Sequence, residues 1–161
     1  MPTDGDIGWC AGLFEGEGTV VWIYTNDGTQ GHLEFKINQA DSPEILNRFK
    51  DIMGGGSVTG PYGPYKNSAT KRPMYVYQSF QVPLIRAMFK VMRDNLSVRR
   101  IIQFELALER SAEHQRDLVE RNKTCRAGTH PKNGPGTCFP CKQEYHKTYN
   151  KTYVRKDEDE D

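Results

Sequence analysis

Long hydrophobic runs are missing from this sequence, since no stretch approaches the roughly 20 consecutive apolar residues that span a bilayer. The opening MPTDGDIGW lacks the basic head and apolar core of a secretory signal. We therefore expect a soluble, intracellular protein with no membrane partner, a setting that argues against disulfides among its four cysteines. Apolar residues still make up 36% of the chain, which excludes wholesale disorder.

The sequence also has little net charge, +1 over 161 residues, but the charges are segregated. Residues 1–122 are nearly neutral, residues 123–156 carry eight basic side chains and one acidic one, and residues 157–161 are all acidic. A basic stretch suits a polyanion, and an acidic run is typical of a disordered, solubilising tail. We predict a main domain over 1–122, a basic module over 123–156 and an acidic tail over 157–161.

Local patterns predict an α+β domain in residues 1–122. Thr3 and Asp6 form a capping-box-like helix start, and Asn26-Asp27-Gly28 predicts the turn of a hairpin. The order αββαββα, followed by a further helix, predicts a four-stranded antiparallel sheet backed by helices on one face. The predicted helices cover about 3–14, 43–53, 83–92 and 96–121, and the strands about 19–25, 31–39, 57–59 and 74–82.

The end of the first predicted helix carries the most chemical information. Gly8 and Gly12 lie one turn apart with Ala11 beside them, so this helix has a face almost without side chains, which another helix could approach closely. Glycine costs roughly 1 kcal/mol relative to alanine inside a helix, so such a face requires a compensating contact. Glu15 and Glu17 then lie at the helix end, where the dipole disfavours carboxylates unless a cation binds.

The segment CAGLFEGEG, Cys10 to Gly18, resembles the nine-residue motif of the LAGLIDADG homing endonucleases, nucleases of mobile genetic elements, with Glu17 at its second acidic position. The resemblance covers about residues 3–110 and implies a saddle-like sheet. It also implies that the motif helix, through Gly8, Ala11 and Gly12, packs against a second copy. Because one motif occurs, the resemblance implies a homodimer that cleaves double-stranded DNA.

The same resemblance implies a divalent metal at Glu17. A carboxylate with the Gly16 carbonyl offers hard oxygen ligands that suit Mg²⁺. By position in the pattern, Gln39 would orient active-site water, and Arg99 would lie near the scissile phosphate, where its role would be electrostatic. For Gln39 the alternative is an exposed strand-end glutamine, and for Arg99 it is a solvated arginine. For the motif, the alternative is that Ala11 and Gly12 allow tight packing within one chain and that Glu17 is a solvated surface acid.

A twisted antiparallel sheet can enter a major groove and read bases with its polar face. Alternation assigns Lys36 and Asn38 of the second strand to this face, and lysine and asparagine can pair with guanine and adenine. Cations in the adjoining loop are expected to contact phosphates. For each residue the alternative is a solvated sheet face. The other predicted DNA-binding residues are Tyr75 and Tyr77 of the fourth strand, with Ser79 on the same face, and Lys66, Lys71 and Arg72 of the loop.

Three of the four cysteines fall within 17 residues, in the pattern Cys125-x4-His130-x7-Cys138-x2-Cys141. These four side chains are enough for one closed tetrahedral Zn²⁺ site, and His146 competes with His130 as the fourth ligand. We predict a small zinc-stapled C-terminal module. The lysines and tyrosines after Cys141 could extend a DNA footprint through phosphates.

Two other functions compete with cleavage at Glu17. A DNA-binding regulator or an RNA-splicing maturase would use the same scaffold without cutting, although it would not need Glu17. An HNH-type nuclease site would use His130, His146 and either Asn133 or Asn150, but the sequence lacks the usual acidic or histidine neighbour before the first histidine.

Overall fold

The computed structural model describes residues 2–25, 30–63 and 72–123, together with residues 141 and 143. Residues 1–114 form one compact unit and residues 115–161 form a second. The sheet, its core and the motif all lie in the first unit, whereas the predicted boundaries near residues 122 and 156 stay predictions. The described elements follow the expected order: α1 (Asp4–Glu17), β1 (Gly18–Tyr24), β2 (Gly31–Ala40), α2 (Pro43–Met53), β3 (Ser57–Tyr62), β4 (Met74–Ser79), α3 (Val82–Met92) and α4 (Val98–Lys123).

Helix α1 begins where the sequence predicts. The Thr3 side chain accepts from the Asp6 backbone N–H, and the Asp6 carboxylate accepts from the Thr3 N–H at 3.1 Å, which completes the capping box. The helix runs through Glu17, three residues past the predicted end, and the chain turns directly into β1. Gly18 is required at this junction because a Cβ there would overlap the ring of Phe14.

The four strands form one antiparallel sheet in the order β1-β2-β4-β3. Leu33, Phe35 and Ile37 point to one face and are buried, as their alternation predicts. All four helices cover this face, so the α+β architecture with helices on one side of the sheet is confirmed. Within the core the rings of Phe14 and Phe35 stack at 4.9 Å between centroids. Other buried core residues are Cys10, Leu46, Phe49, Ile85, Met88, Met92 and Phe104.

The predicted orientation of β4 is wrong. Cross-strand partners in an antiparallel pair share a face, and Tyr77 pairs with Ile37 of the core. Tyr77 is accordingly fully buried, and its hydroxyl donates to the Gly55 carbonyl at 2.9 Å. Tyr75 and Ser79 lie on this core face too. The strand carries apolar or aromatic residues at both alternating positions, so only its register with β2 decides which set is buried.

The lengths of β3 and β4 differ from the predicted lengths. β3 continues to Tyr62, three residues beyond the predicted end, while β4 stops at Ser79. The chain enters α3 at Val82, with Pro83 in its first turn, where a missing N–H costs nothing. Among the described residues, no helix is long and apolar enough to cross a membrane.

Candidate functional site

The two acidic residues of the motif have different surroundings. Glu15 is half-buried, and its carboxylate accepts from Ser97 twice: from the backbone N–H at 2.6 Å and from the hydroxyl at 3.1 Å. Ser97 immediately precedes α4, so Glu15 occupies a helix N-terminus, where the dipole favours an anion. Partial burial raises the pKa of Glu15, but the Ser97 hydrogen bonds and the charges of Arg100 and Arg99 outweigh it and hold the pKa below its ordinary value.

Arg100 makes the complementary contact in the other direction. Its Nη2 donates to the Glu15 carbonyl at 2.6 Å, and its Nη1 donates to Gln103 Oε1 at 2.8 Å. The guanidinium lies 5.1 Å from the centroid of the Phe14 ring, and the side chain is only 11% exposed. An acid from α1 therefore binds the start of α4, while a base from α4 binds a carbonyl at the end of α1. We call Glu15, Ser97 and Arg100 the reciprocal cap.

Glu17 is not part of the reciprocal cap. Its side chain and Gly16 are both exposed at the last turn of α1, and a Cβ on Gly16 would meet nothing within 4 Å. A carboxylate and a neighbouring carbonyl at an open helix end are hard oxygen donors, which fit a divalent cation that keeps several waters. The described part of the chain contains no cluster of three His, Cys, Asp or Glu residues able to hold a metal alone. Further ligands would have to come from water, a bound phosphate or a second copy.

The other predicted active-site residues lie near this helix end. β1 begins at Gly18 opposite Ile37, so Gln39, two residues further along β2, lies at the same end of the β1–β2 pair as Glu17. Gln39 is half-buried. Arg99 is exposed in the first turn of α4, near enough to lower the pKa of Glu15.

The predicted glycine face of α1 is present, with one correction. Gly12 is exposed, and a Cβ there would meet nothing within 4 Å; at Gly8 the nearest atom would be Asn95 Oδ1 at 3.9 Å, an ordinary contact. Ala11 does not lie on this face. It is fully buried in the core of its own chain, because residue 11 projects about 100° around the helix from Gly12.

The sheet surface opposite the core is polar, and we call it the outer sheet face. Lys36 and Asn38 lie on it as predicted, since their neighbours Phe35 and Ile37 point into the core. The register adds Gln78, which pairs with Lys36 and which sequence reasoning missed because β4 was assigned the opposite orientation. Further members of this face, by pairing, are Thr19, Val21, Glu34, Ser57, Thr59 and Val76.

The loop cations are only partly described. Arg72 is exposed and pairs with Asp41 at 3.4 Å. Lys66 and Lys71 lie outside the described residues, so their expected phosphate contacts stay predictions.

Comparison with solved structures identifies the fold. The group I intron-encoded homing endonuclease I-CeuI, solved with DNA, is 13% identical over 75% of this chain and 62% of its own, with a TM-score of 0.54. The LAGLIDADG homing endonuclease I-SmaMI, bound to cleaved DNA, is 17% identical over 78% of this chain and 45% of its own, with a TM-score of 0.51. The chain has the LAGLIDADG homing endonuclease fold. The homing endonuclease I-CvuI, solved in complex with its target in the presence of calcium, is 16% identical over 74% of this chain and 77% of its own, with a TM-score of 0.54.

At these identities the likeness establishes the fold and confirms the resemblance drawn from Cys10–Gly18. No protein-family model and no curated protein sequence matches the chain. Within the LAGLIDADG fold, Glu17 ends the motif helix, and the outer sheet face is the polar side of the sheet.

Arg100 is the main site residue that sequence reasoning missed. Its contacts with Glu15 span 85 residues of chain, so no local pattern predicts them. The only available signal was the arginine pair Arg99-Arg100 at a helix start, where the dipole disfavours cations.

The predicted zinc ligands fall almost wholly outside the described residues. Cys125, His130 and Cys138 lie there, as does the competing His146, and only Cys141 is described, as a half-buried residue. The zinc site and the HNH alternative both stay predictions from the sequence.

Proposed function

We propose that the protein is a homodimeric, site-specific DNA endonuclease that hydrolyses phosphodiester bonds at Glu17 with a divalent metal. The observation that carries this proposal is that the two acidic residues of the motif have different surroundings. Glu15 is engaged by Ser97 and Arg100, whereas Glu17 is left exposed at the same helix end. A structural role for Glu17 is not supported by any such contact among the described residues.

The metal would be held by the carboxylate of Glu17 and the carbonyl of Gly16, and Mg²⁺ fits this donor set because it takes few protein ligands and binds phosphate oxygens. When bound, it would supply charge stabilisation at the phosphate and a more acidic water. Gln39 would hold water by hydrogen bonds, and Arg99 would add a positive charge near the phosphate without exchanging a proton.

The homodimer is supported by glycines that the single chain does not need. Side chains at Gly8 and Gly12 would fit within one chain, yet both positions keep glycine inside a helix, where it costs roughly 1 kcal/mol relative to alanine. Close packing of a second helix against this face would explain why both positions are glycine. An open groove of about 530 Å³ borders this face; its lining residues are Trp9, Gly12, Leu13, Glu44, Ile45 and Arg48.

Duplex DNA is the substrate that the outer sheet face supports. Lys36 can donate to guanine, Asn38 and Gln78 can bind adenine, and Val21 can contact a thymine methyl group. Two such faces related by a two-fold axis would favour a palindromic or near-palindromic target.

The decisive experiment compares Glu17→Gln with Glu109→Gln, which removes the same charge from an exposed position on α4. Duplexes are first selected from a randomised library by binding in Ca²⁺, and cleavage is then measured in Mg²⁺. Loss of a metal ligand removes several kcal/mol of transition-state stabilisation, so E17Q should cleave at least about 100-fold more slowly than wild type. DNA affinity and thermal stability should change little, and E109Q should match wild type.

Two results would contradict cleavage at Glu17. Equal cleavage by wild type and E17Q would place the chemistry elsewhere, and a His146→Ala variant would then test the HNH alternative. Binding of a selected duplex without cleavage by wild type would support the second candidate, a regulator or maturase that uses the outer sheet face without cutting.

A further inference from the structure

The reciprocal cap joins the end of the motif helix to the start of α4, and we infer that Arg100 is a positioning residue for the metal-binding peptide Gly16–Glu17. This inference rests on the proposed function. It assigns to Arg100 the task of fixing the backbone immediately before the two metal ligands. Arg99, its neighbour, is exposed and is assigned a different, electrostatic role.

The geometry of Arg100 suits a positioning role better than a stabilising one. Its Nε is buried and has no hydrogen-bond partner among the described residues, and it lies 3.8 Å from Glu15 Oε2. A buried cation with an unsatisfied donor is a poor way to stabilise a fold, since an apolar side chain of similar volume often does as well. Its two satisfied donors, however, define one position for the Glu15 carbonyl relative to Gln103.

The Gly16–Glu17 peptide has backbone freedom that a positioning contact can restrict. Glu17 stands between Gly16 and Gly18, and glycine is the residue with the greatest backbone freedom. The last carbonyls of a helix also lack partners within the helix. The N–H groups of Gly16 and Glu17 belong to the last turn of α1, and the Gly18 N–H donates to the Phe14 carbonyl. On the carbonyl side, Arg100 binds the Glu15 carbonyl. Without Arg100 the Gly16–Glu17 peptide would keep these N–H contacts but would lose the side-chain donor that holds the carbonyl immediately before it.

The forked shape of the guanidinium is part of the inference. Nη1 and Nη2 reach acceptors on two different helices, Gln103 of α4 and Glu15 of α1. A lysine would keep the charge but not the fork. If only a positive charge near the helix end mattered, lysine would replace Arg100 fully.

The test uses Arg100→Lys and Arg100→Gln in the full-length protein, with Arg110→Lys as a control at an exposed position on α4. Amide hydrogen exchange is measured on the complex with a selected duplex in Ca²⁺, and the Ca²⁺ concentration for half-maximal DNA binding is measured in parallel. Single-turnover cleavage in Mg²⁺ is the third readout. A displacement near 1 Å at a reacting centre costs about 100-fold in rate.

We expect R100Q to cleave about 100-fold more slowly than wild type, and R100K to fall between them. In both variants the amides of residues 16–18 should exchange faster and more Ca²⁺ should be needed, while DNA affinity at saturating Ca²⁺ stays near that of R110K. Removing a donor from the Glu15 carbonyl should also lower the midpoint of thermal unfolding by several degrees, without unfolding the protein at the assay temperature. Full activity in R100K would overturn the inference, because charge alone would then be sufficient. A parallel loss of stability, DNA affinity and cleavage would also overturn it, by making Arg100 a structural residue.

Failure of the proposed function gives a different pattern. If wild type binds the duplex in Ca²⁺ but never cleaves it in Mg²⁺, the endonuclease proposal fails. Exchange at residues 16–18 and the Ca²⁺ requirement then still decide whether Arg100 positions this peptide.

Discussion

Replacing Gly12 with alanine should stabilise the single chain and weaken the dimer. Gly12 lies in the middle of α1, exposed, and an added Cβ would meet no atom within 4 Å. The substitution therefore removes backbone entropy from the unfolded chain without a clash in the folded one. Alanine is better than glycine inside a helix by roughly 1 kcal/mol, so the free energy of unfolding of the monomer should rise by about this amount.

The effect on the dimer has the opposite sign. If two copies of α1 meet at Gly12, each adds a methyl group to a close helix contact, and overpacking costs about 1–3 kcal/mol per site. Two copies then cost roughly 2–6 kcal/mol of association free energy, and each 1.4 kcal/mol is tenfold in the dissociation constant. The dissociation constant should rise at least about 30-fold.

The assay separates the two effects by concentration. Urea unfolding at a concentration below the dissociation constant reports on the monomer, and sedimentation velocity over a concentration series reports on association. Gly18→Ala is the matched control, because its Cβ would overlap the Phe14 ring and should destabilise the monomer itself. The reasoning is refuted if G12A leaves the dissociation constant unchanged. It is also refuted if wild type is monomeric at about 100 μM, which corresponds to association weaker than about 5.5 kcal/mol.

Three further predictions concern the core, the pH dependence of stability and the C-terminal segment. Tyr77→Phe leaves the Gly55 carbonyl without its donor and should lower the free energy of unfolding by about 1–3 kcal/mol; a loss of DNA affinity with unchanged stability would instead place Tyr77 at the interface. Hydrogen bonds within the capping box hold the pKa of Asp6 below its ordinary value of 3.8. The ionised Asp6 carboxylate therefore stabilises the folded chain above that value, and this stabilisation is lost as the pH falls through the lower pKa of the folded state. Between about pH 5 and pH 3, the free energy of unfolding of wild type should fall by more than that of Asp6→Asn. Equal decreases would contradict this prediction. Purified protein should contain about one zinc per chain by elemental analysis, and the double variant Cys138→Ser/Cys141→Ser should contain much less; wild type without zinc would contradict the predicted site.

Local sequence signals predicted the features that depend on near neighbours. The capping box at Thr3 and Asp6 spans three residues, and the alternation of Leu33, Phe35 and Ile37 fixes the core face of β2 within one strand. The Cys10–Gly18 motif, nine consecutive residues, likewise predicts the fold without any long-range contact. These patterns act over a helical turn or a strand, so the sequence contains them directly.

The failures depend on contacts between distant segments. Alternation along the strand predicts Tyr77 on the polar face, whereas pairing with β2 places it in the core. Residue size predicts Ala11 on the same face as Gly12, but the 100° step between them turns Ala11 into the core.

What the sequence alone determined about this protein is its element order, the capped motif helix and the two carboxylates at its end, because each follows from periodicity or spacing within about 15 residues. The tertiary structure alone decided the surroundings of these two carboxylates. Glu15 meets Ser97 and Arg100 across more than 80 residues of chain, whereas Glu17 at the same helix end is exposed. Contacts that depend on the relative placement of two helices arise from their packing, and no local sequence pattern predicts them.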